Sequence, residues 1–147
     1  MVEISRLFFQ TSDDPTIGAD FFAPDALDYS IESLATVDDY LDKVRQHKDI
    51  TSVWNKVALR CGAYVGEVVR RNCEKRELHW VDYENALELD NTSFQGMGQS
   101  IGNSVSLYGG NSWFCFPLAK VDKFLENGRE DSVHSFAEVI IDIADQD

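Results

Sequence analysis

The sequence predicts an α+β fold in which a small antiparallel sheet packs against about four helices. Three observations carry that expectation. Apolar residues recur at helical spacing over two stretches before residue 76 and two shorter ones after residue 117. Between them lie short runs rich in Trp, Tyr, Phe and Val. Two of these are joined by Gly109-Gly110-Asn111, residues that accept the positive φ of a tight hairpin. With 147 residues, 44% apolar and 12% aromatic, the chain has material for one sizeable core and not for two. Residues 1–147 therefore read as a single domain, with 1–26 an ordered N-terminal extension.

In residues 1–10, Ile4, Leu7, Phe8 and Phe9 fit a short strand or one helical turn equally well. Residues 11–30 are rich in Asp, Pro and Gly and read as a loop pinned by Phe21, Phe22 and Tyr29. A helix is expected from Leu34 to His47, with Val37, Tyr40, Leu41 and Val44 on one face. Ser33 or Thr36 would cap it, and Asp38 and Asp39 would sit in a first turn where the helix dipole favours negative charge. The longest helix is expected from Ser52 to Lys75, on the stripe Val53, Val57, Cys61, Tyr64, Val65 and Val68. Ala58, Gly62 and Gly66 recur every four residues along it. Each internal glycine costs about 1 kcal/mol relative to alanine, so something is expected to pack very closely there. Glu67 is placed to pair with Arg71 one turn on.

Strands are expected at Leu78–Val81, Asn85–Leu89, Ser104–Tyr108 and Ser112–Phe116, and a polar loop over Asn91–Gly102. Pro117 suits the first position of a helix over Leu118–Asn127, which Gly128 would end. A final helix is expected from Ser132 to Ala144, with Val133, Phe136, Ala137, Ile140 and Ala144 inward and Asp131 or Ser132 as its cap.

The chain has 13 Lys plus Arg against 26 Asp plus Glu, a net charge of −13. A nucleic-acid footprint needs a positive field, so direct nucleic-acid binding is not expected, nor is an anionic membrane surface. No run approaches the roughly 18 apolar residues of a membrane span. The opening MVEISRLFFQTSDD lacks the pattern of a secretory leader. With three widely spaced cysteines, Cys61, Cys73 and Cys115, this leads to the expectation of a reducing, cytoplasmic setting. Charge is unevenly placed. Residues 1–42 carry −9, residues 43–76 carry +6 and residues 77–147 carry −10. Either these carboxylates are a solvated surface, or they steer a basic partner into contact. The positive segment can also attract the acidic flanks within the fold.

Motifs for catalysis are missing. Gly96-Met97-Gly98-Gln99-Ser100-Ile101-Gly102 matches neither a dinucleotide fingerprint nor a P-loop and reads as a flexible turn. His47, His79 and His134 lack metal-ligand spacing, and no nucleophile elbow is present. No catalytic residue, metal or cofactor is therefore assigned. Residues 77–119 hold five acids, Glu77, Asp82, Glu84, Glu88 and Asp90, and no Lys or Arg. Trp80, Tyr83, Tyr108 and Trp113 fall in the same stretch. They either fill the core or form a protein-binding hot spot with a charged rim. These nine residues are the candidate contact surface.

Three segments carry a resemblance. They are Leu27-Asp28-Tyr29-Ser30-Ile31-Glu32-Ser33-Leu34 followed by Val37-Asp38, Gly62-Ala63-Tyr64-Val65-Gly66-Glu67-Val68-Val69-Arg70-Arg71 followed by Trp80, and Pro117-Leu118-Ala119-Lys120-Val121 through Phe124-Leu125-Glu126-Asn127-Gly128. They resemble a group of small bacterial domains of unknown function over about residues 27–140, with no catalytic residue to transfer. In size and charge the chain is also similar to the immunity proteins that bacteria pair with secreted toxins. Charge, single-domain size and the lack of a catalytic constellation lead to one expectation: a monomeric, non-enzymatic module that binds and neutralises a basic toxin such as a nuclease. The competing expectation is a small-molecule binder or enzyme using a groove along Ala58, Gly62 and Gly66, with Tyr64 or Glu67 beside it.

Overall fold

The computed structural model describes residues 1–94 and 96–146 and is α+β, as the sequence predicts. Helix α1 spans Val2–Leu7, which resolves the ambiguity at the N-terminus in favour of a helical turn. Helices α2 (Ser33–Val44) and α3 (Ile50–Asn72) follow. Strand β1 (His79–Asp82) leads directly into α4 (Tyr83–Leu89) and α5 (Asn91–Phe94). Strands β2 (Val105–Tyr108) and β3 (Phe114–Cys115) then precede α6 (Pro117–Asn127) and α7 (Val133–Asp145).

Helix α3 is the spine of the molecule. An unbroken run from Val57 to Val69, Leu59 excepted, is buried, because α1, α2, α6, α7 and the sheet pack around it. The glycine stripe explains the closeness of that packing. A Cβ on Gly62 would meet the Cα of Leu118 at 2.8 Å, and one on Gly66 would strike the ring of Trp80 and reach Pro117 at 3.1 Å. Helix α6 and β1 thus rest directly on the α3 backbone. Residues 1–26 contribute to this core: Phe8 is buried and packs edge-on against Tyr40 at 5.0 Å. The aromatics of the following loop also anchor it, with Phe22 against Tyr40 and Tyr29 against Tyr64.

The sheet is antiparallel in the order β1-β2-β3. Trp80 pairs with Leu107, which pairs with Cys115, so these three share the face turned to α3. On the opposite face, Phe94 of α5 is buried against Phe114 and Phe116.

Three local expectations fail here. Asn85–Leu89 belongs to a helix, because the Asp82 carboxylate accepts from the Asn85 N–H at 2.8 Å and caps it. The stretch expected to be loop over Asn91–Gly102, of which residue 95 lies outside the described residues, contains α5 and enters a turn of 3₁₀ helix at Ile101–Asn103. Strand β3 has only Phe114 and Cys115, because Asn111 and Ser112 take left-handed backbone conformations at φ 49° and 62°. Among the described residues, no helix is long and apolar enough to cross a membrane.

Candidate functional site

The nine residues expected to form a contact surface divide between the two ends of the sheet. His79 pairs with Tyr108 at one end of β1 and Asp82 pairs with Val105 at the other, about 10 Å away for a strand of this length. Tyr108 and Trp113 lie at the first end, and Glu77 directly precedes β1 there. The exposed Glu77 faces His79 at 3.6 Å, Tyr108 packs on Phe114, and Trp113 lies under the Arg76 guanidinium at 5.3 Å. Asp82, Tyr83, Glu84, Glu88 and Asp90 gather at the other end, on and around α4. Glu84 and Glu88 are exposed one turn apart, Asp90 is half-buried, and the Tyr83 hydroxyl donates to the Met97 carbonyl at 2.8 Å. The ninth residue, Trp80, is turned inward. Its indole N–H donates to Glu67 at 2.9 Å and its ring covers Gly66, so it packs against the core and is only partly exposed.

Part of the positive segment over residues 43–76 is tied up in contacts within the chain. Lys56 and Arg60 hold Asp14 at 2.9 and 3.2 Å, and the bond from Lys56 lowers the Asp14 pKa. Arg45 donates to the carbonyls of Leu125 and Glu126 at the end of α6. Arg76 donates to the carbonyls of Ala144 and Gly109. Outside that segment, Arg129 bridges Asp39 and Asp42, and Lys120 holds Asp131. These cations are spent on backbone carbonyls and a subset of carboxylates, while Lys43, Lys48, Lys75 and Lys123 are exposed. The acids left facing solvent include Asp13, Asp20, Asp25, Glu32, Glu84, Glu88, Glu126 and Glu130.

Two buried carboxylates were not legible as such. Glu67 has no solvent exposure. Burial works to raise its pKa, but hydrogen bonds from Arg70 at 2.6 Å, from Trp80 and from Arg71 at 3.1 Å pull it down to about 2. The spacing to Arg71 was visible in sequence, whereas Trp80 enters only through tertiary packing. A carboxylate so held is a fixed anion, not a base poised near neutral pH. Asp38, expected in a first turn of its own helix, instead accepts from the Ser132 hydroxyl at 2.5 Å and the Val133 N–H at 2.8 Å. It caps α7 from a position 95 residues earlier in the chain than Val133.

The groove along Ala58, Gly62 and Gly66 is filled by Leu118, Pro117 and Trp80, which removes the space a ligand would need. Tyr64 is also buried, with its hydroxyl bonded to Ser33 and to the Tyr29 N–H. Burial raises the thiol pKa of Cys61 and Cys115, and takes that of Cys73 to about 11. The His47 Nδ1 accepts from the Asp49 N–H, and His134 faces Glu138 at 3.3 Å. Among the described residues no group of three His, Cys, Asp or Glu side chains converges to hold a metal ion. No family model matches this chain, and neither a curated protein nor a solved structure matches it.

Proposed function

We propose that this chain is a non-enzymatic, acidic protein-binding module of the immunity type, which docks on a basic toxin domain such as a nuclease and occludes it. The supporting observation is the division of charge. Several cations are tied to backbone carbonyls or to single carboxylates, while the excess of 26 acids over 13 bases leaves many carboxylates facing solvent. Such a surface attracts a protein built to hold phosphates, speeds encounter and disfavours acidic competitors. The acidic α4 lobe, with Glu84 and Glu88 outward, supports a role as one contact region. The unpaired Cys61, Cys73 and Cys115 support a cytoplasmic setting.

The test is co-purification of the full chain with the product of the gene beside its own, followed by affinity measured against salt. A toxin-like basic partner is expected, with affinity that falls as salt rises and falls further in Glu84→Lys/Glu88→Lys. An acidic partner, or a basic one bound with no salt dependence, would overturn the reading.

A further inference from the structure

We propose that the outward face of α7, with the groove beside it, is the seat for an amphipathic helix of the partner whose apolar stripe is flanked by Lys or Arg. This rests on the reading of the chain as an acidic binding module and adds where, and on what kind of segment, it docks.

Helix α7 is apolar on two sides. Val133, Ala137, Ile141 and Ala144 are buried and face the core. Phe136, Val139, Ile140 and Ile143 follow the i, i+3, i+4, i+7 spacing of a second stripe. Val139 is 56% exposed and Ile143 46%, on a helix whose outer side would ordinarily be polar. The stripe borders two clefts. One, of about 480 Å³, runs between α7 and α6 to Phe114, Phe116 and the exposed Met97. The other, of about 330 Å³, lies toward the start of α7. Phe136, Ile140 and Lys120 line both, so the two form one groove along the helix.

Charge around this groove selects its occupant. Glu130, Glu138 and Asp142 are exposed on or near α7. Two of the three cations nearby are paired: Lys120 holds Asp131 at 2.9 Å and Arg129 bridges Asp39 and Asp42, while Lys123 is exposed at the cleft and is outnumbered by Glu130, Glu138 and Asp142. An apolar floor with an acidic edge complements a helix that carries leucine-like anchors between basic residues. A second copy of this chain would bring −13 against −13, and an anionic membrane is repelled in the same way.

The experiment titrates the full chain with a synthetic amphipathic helix of leucine and lysine, and with the same pattern carrying glutamate for lysine. It is repeated on Val139→Glu/Ile143→Glu, whose exposed positions leave folding intact, as thermal unfolding will verify. The variant adds negative charge, so general electrostatic attraction predicts tighter binding of the lysine peptide. Seating on the stripe predicts binding at least about tenfold weaker. Equal or tighter binding by the variant overturns the proposal. So does failure of the wild-type chain to bind the lysine peptide, equal binding of the glutamate peptide, or a wild-type dimer that the variant dissolves. A basic partner that co-purifies yet ignores the double substitution sinks the α7 seat and leaves the acidic module standing. A peptide seat without any basic partner sinks the functional reading alone.

Discussion

Replacing Gly62 by alanine sets helix propensity against packing. Propensity alone favours alanine inside a helix by about 1 kcal/mol. The structure reverses that sign. A Cβ at position 62 would lie 2.8 Å from the Cα, Cγ and Cδ1 of Leu118. Ordinary carbon–carbon contact is about 3.5–4.0 Å, so the overlap approaches 1 Å. The Leu118 side chain can rotate away, but its Cα is backbone in the first turn of α6, next to Pro117, whose φ is fixed. Relief therefore requires α6 to lift from α3, which loosens the buried Val121, Phe124 and Leu125. Overpacking of this kind costs about 1–3 kcal/mol, and the backbone contact argues for the upper half. Net of the propensity gain, destabilisation of about 1–2 kcal/mol is expected. Urea unfolding followed by tryptophan fluorescence reads this as a lower midpoint at unchanged slope. Leu118→Ala in the same chain should not restore stability, because the Cα clash persists. Gly98→Ala is the control: nothing lies within 4 Å of its added Cβ, and a change within about 0.5 kcal/mol is expected. A rise in the midpoint for Gly62→Ala would refute the claim that α6 rests on the α3 backbone.

Other consequences are equally open to measurement. Glu67 has a folded-state pKa below its ordinary 4.5, at about 2, so its contribution is complete above 4.5 and is lost as pH falls toward 2. The shift bounds that contribution at about 3 kcal/mol; with Arg70 and Arg71 each about one-third exposed, about 2 kcal/mol is expected. Glu67→Gln should lower stability by that amount at pH 7 and flatten its dependence on pH between 4.5 and 2; an unchanged acid profile would contradict the assignment. Asp38→Ala strands the buried Val133 N–H and should cost about 1–3 kcal/mol, with faster amide exchange at the start of α7. Exchange confined to α2 would argue against a cap reaching α7. At pH 8, Cys73 should react with a thiol reagent about a hundredfold more slowly than free cysteine, while the buried Cys61 and Cys115 wait for unfolding. Rapid labelling of all three in the native protein would refute that burial.

The sequence made some of these elements plain and hid others for physical reasons. Helix α3 was visible because its apolar stripe is long and periodic, and its ends fall close to the expected ones. Pro117 and Gly128 bounded α6 as their backbone preferences require, with Gly128 at φ 92°. Asn85–Leu89 reads as a strand in sequence because the run is short and follows a β-rich stretch. The decisive signal was the Asp82 carboxylate at the head of α4, a cap that periodicity does not weigh. Strand β3 was overestimated because glycine and asparagine announced a turn, while the left-handed Ser112 that shortens the strand gave no such signal. The candidate surface divided because β1 separates its two ends, and Trp80 is drawn inward by the Glu67 carboxylate and the bare Gly66, contacts from α3 that spacing along β1 does not reveal. On α7, the spacing places Phe136 and Ile140 inward, yet they are only partly buried and continue into the exposed Val139 and Ile143. A helix with apolar residues on both sides does not reveal from its own spacing which side the fold will cover.

The reach of Asp38 to Ser132 and Val133 has a kinetic corollary. Arg129 on Asp39 and Asp42, and Arg45 on the end of α6, close the same circuit between segments about 80–95 residues apart. Bringing such distant stretches together must be done against loop entropy before any of these bonds can form. Docking of α7 on α2 is therefore expected late in folding, and a nick between them should yield two pieces that regain order only by finding each other again.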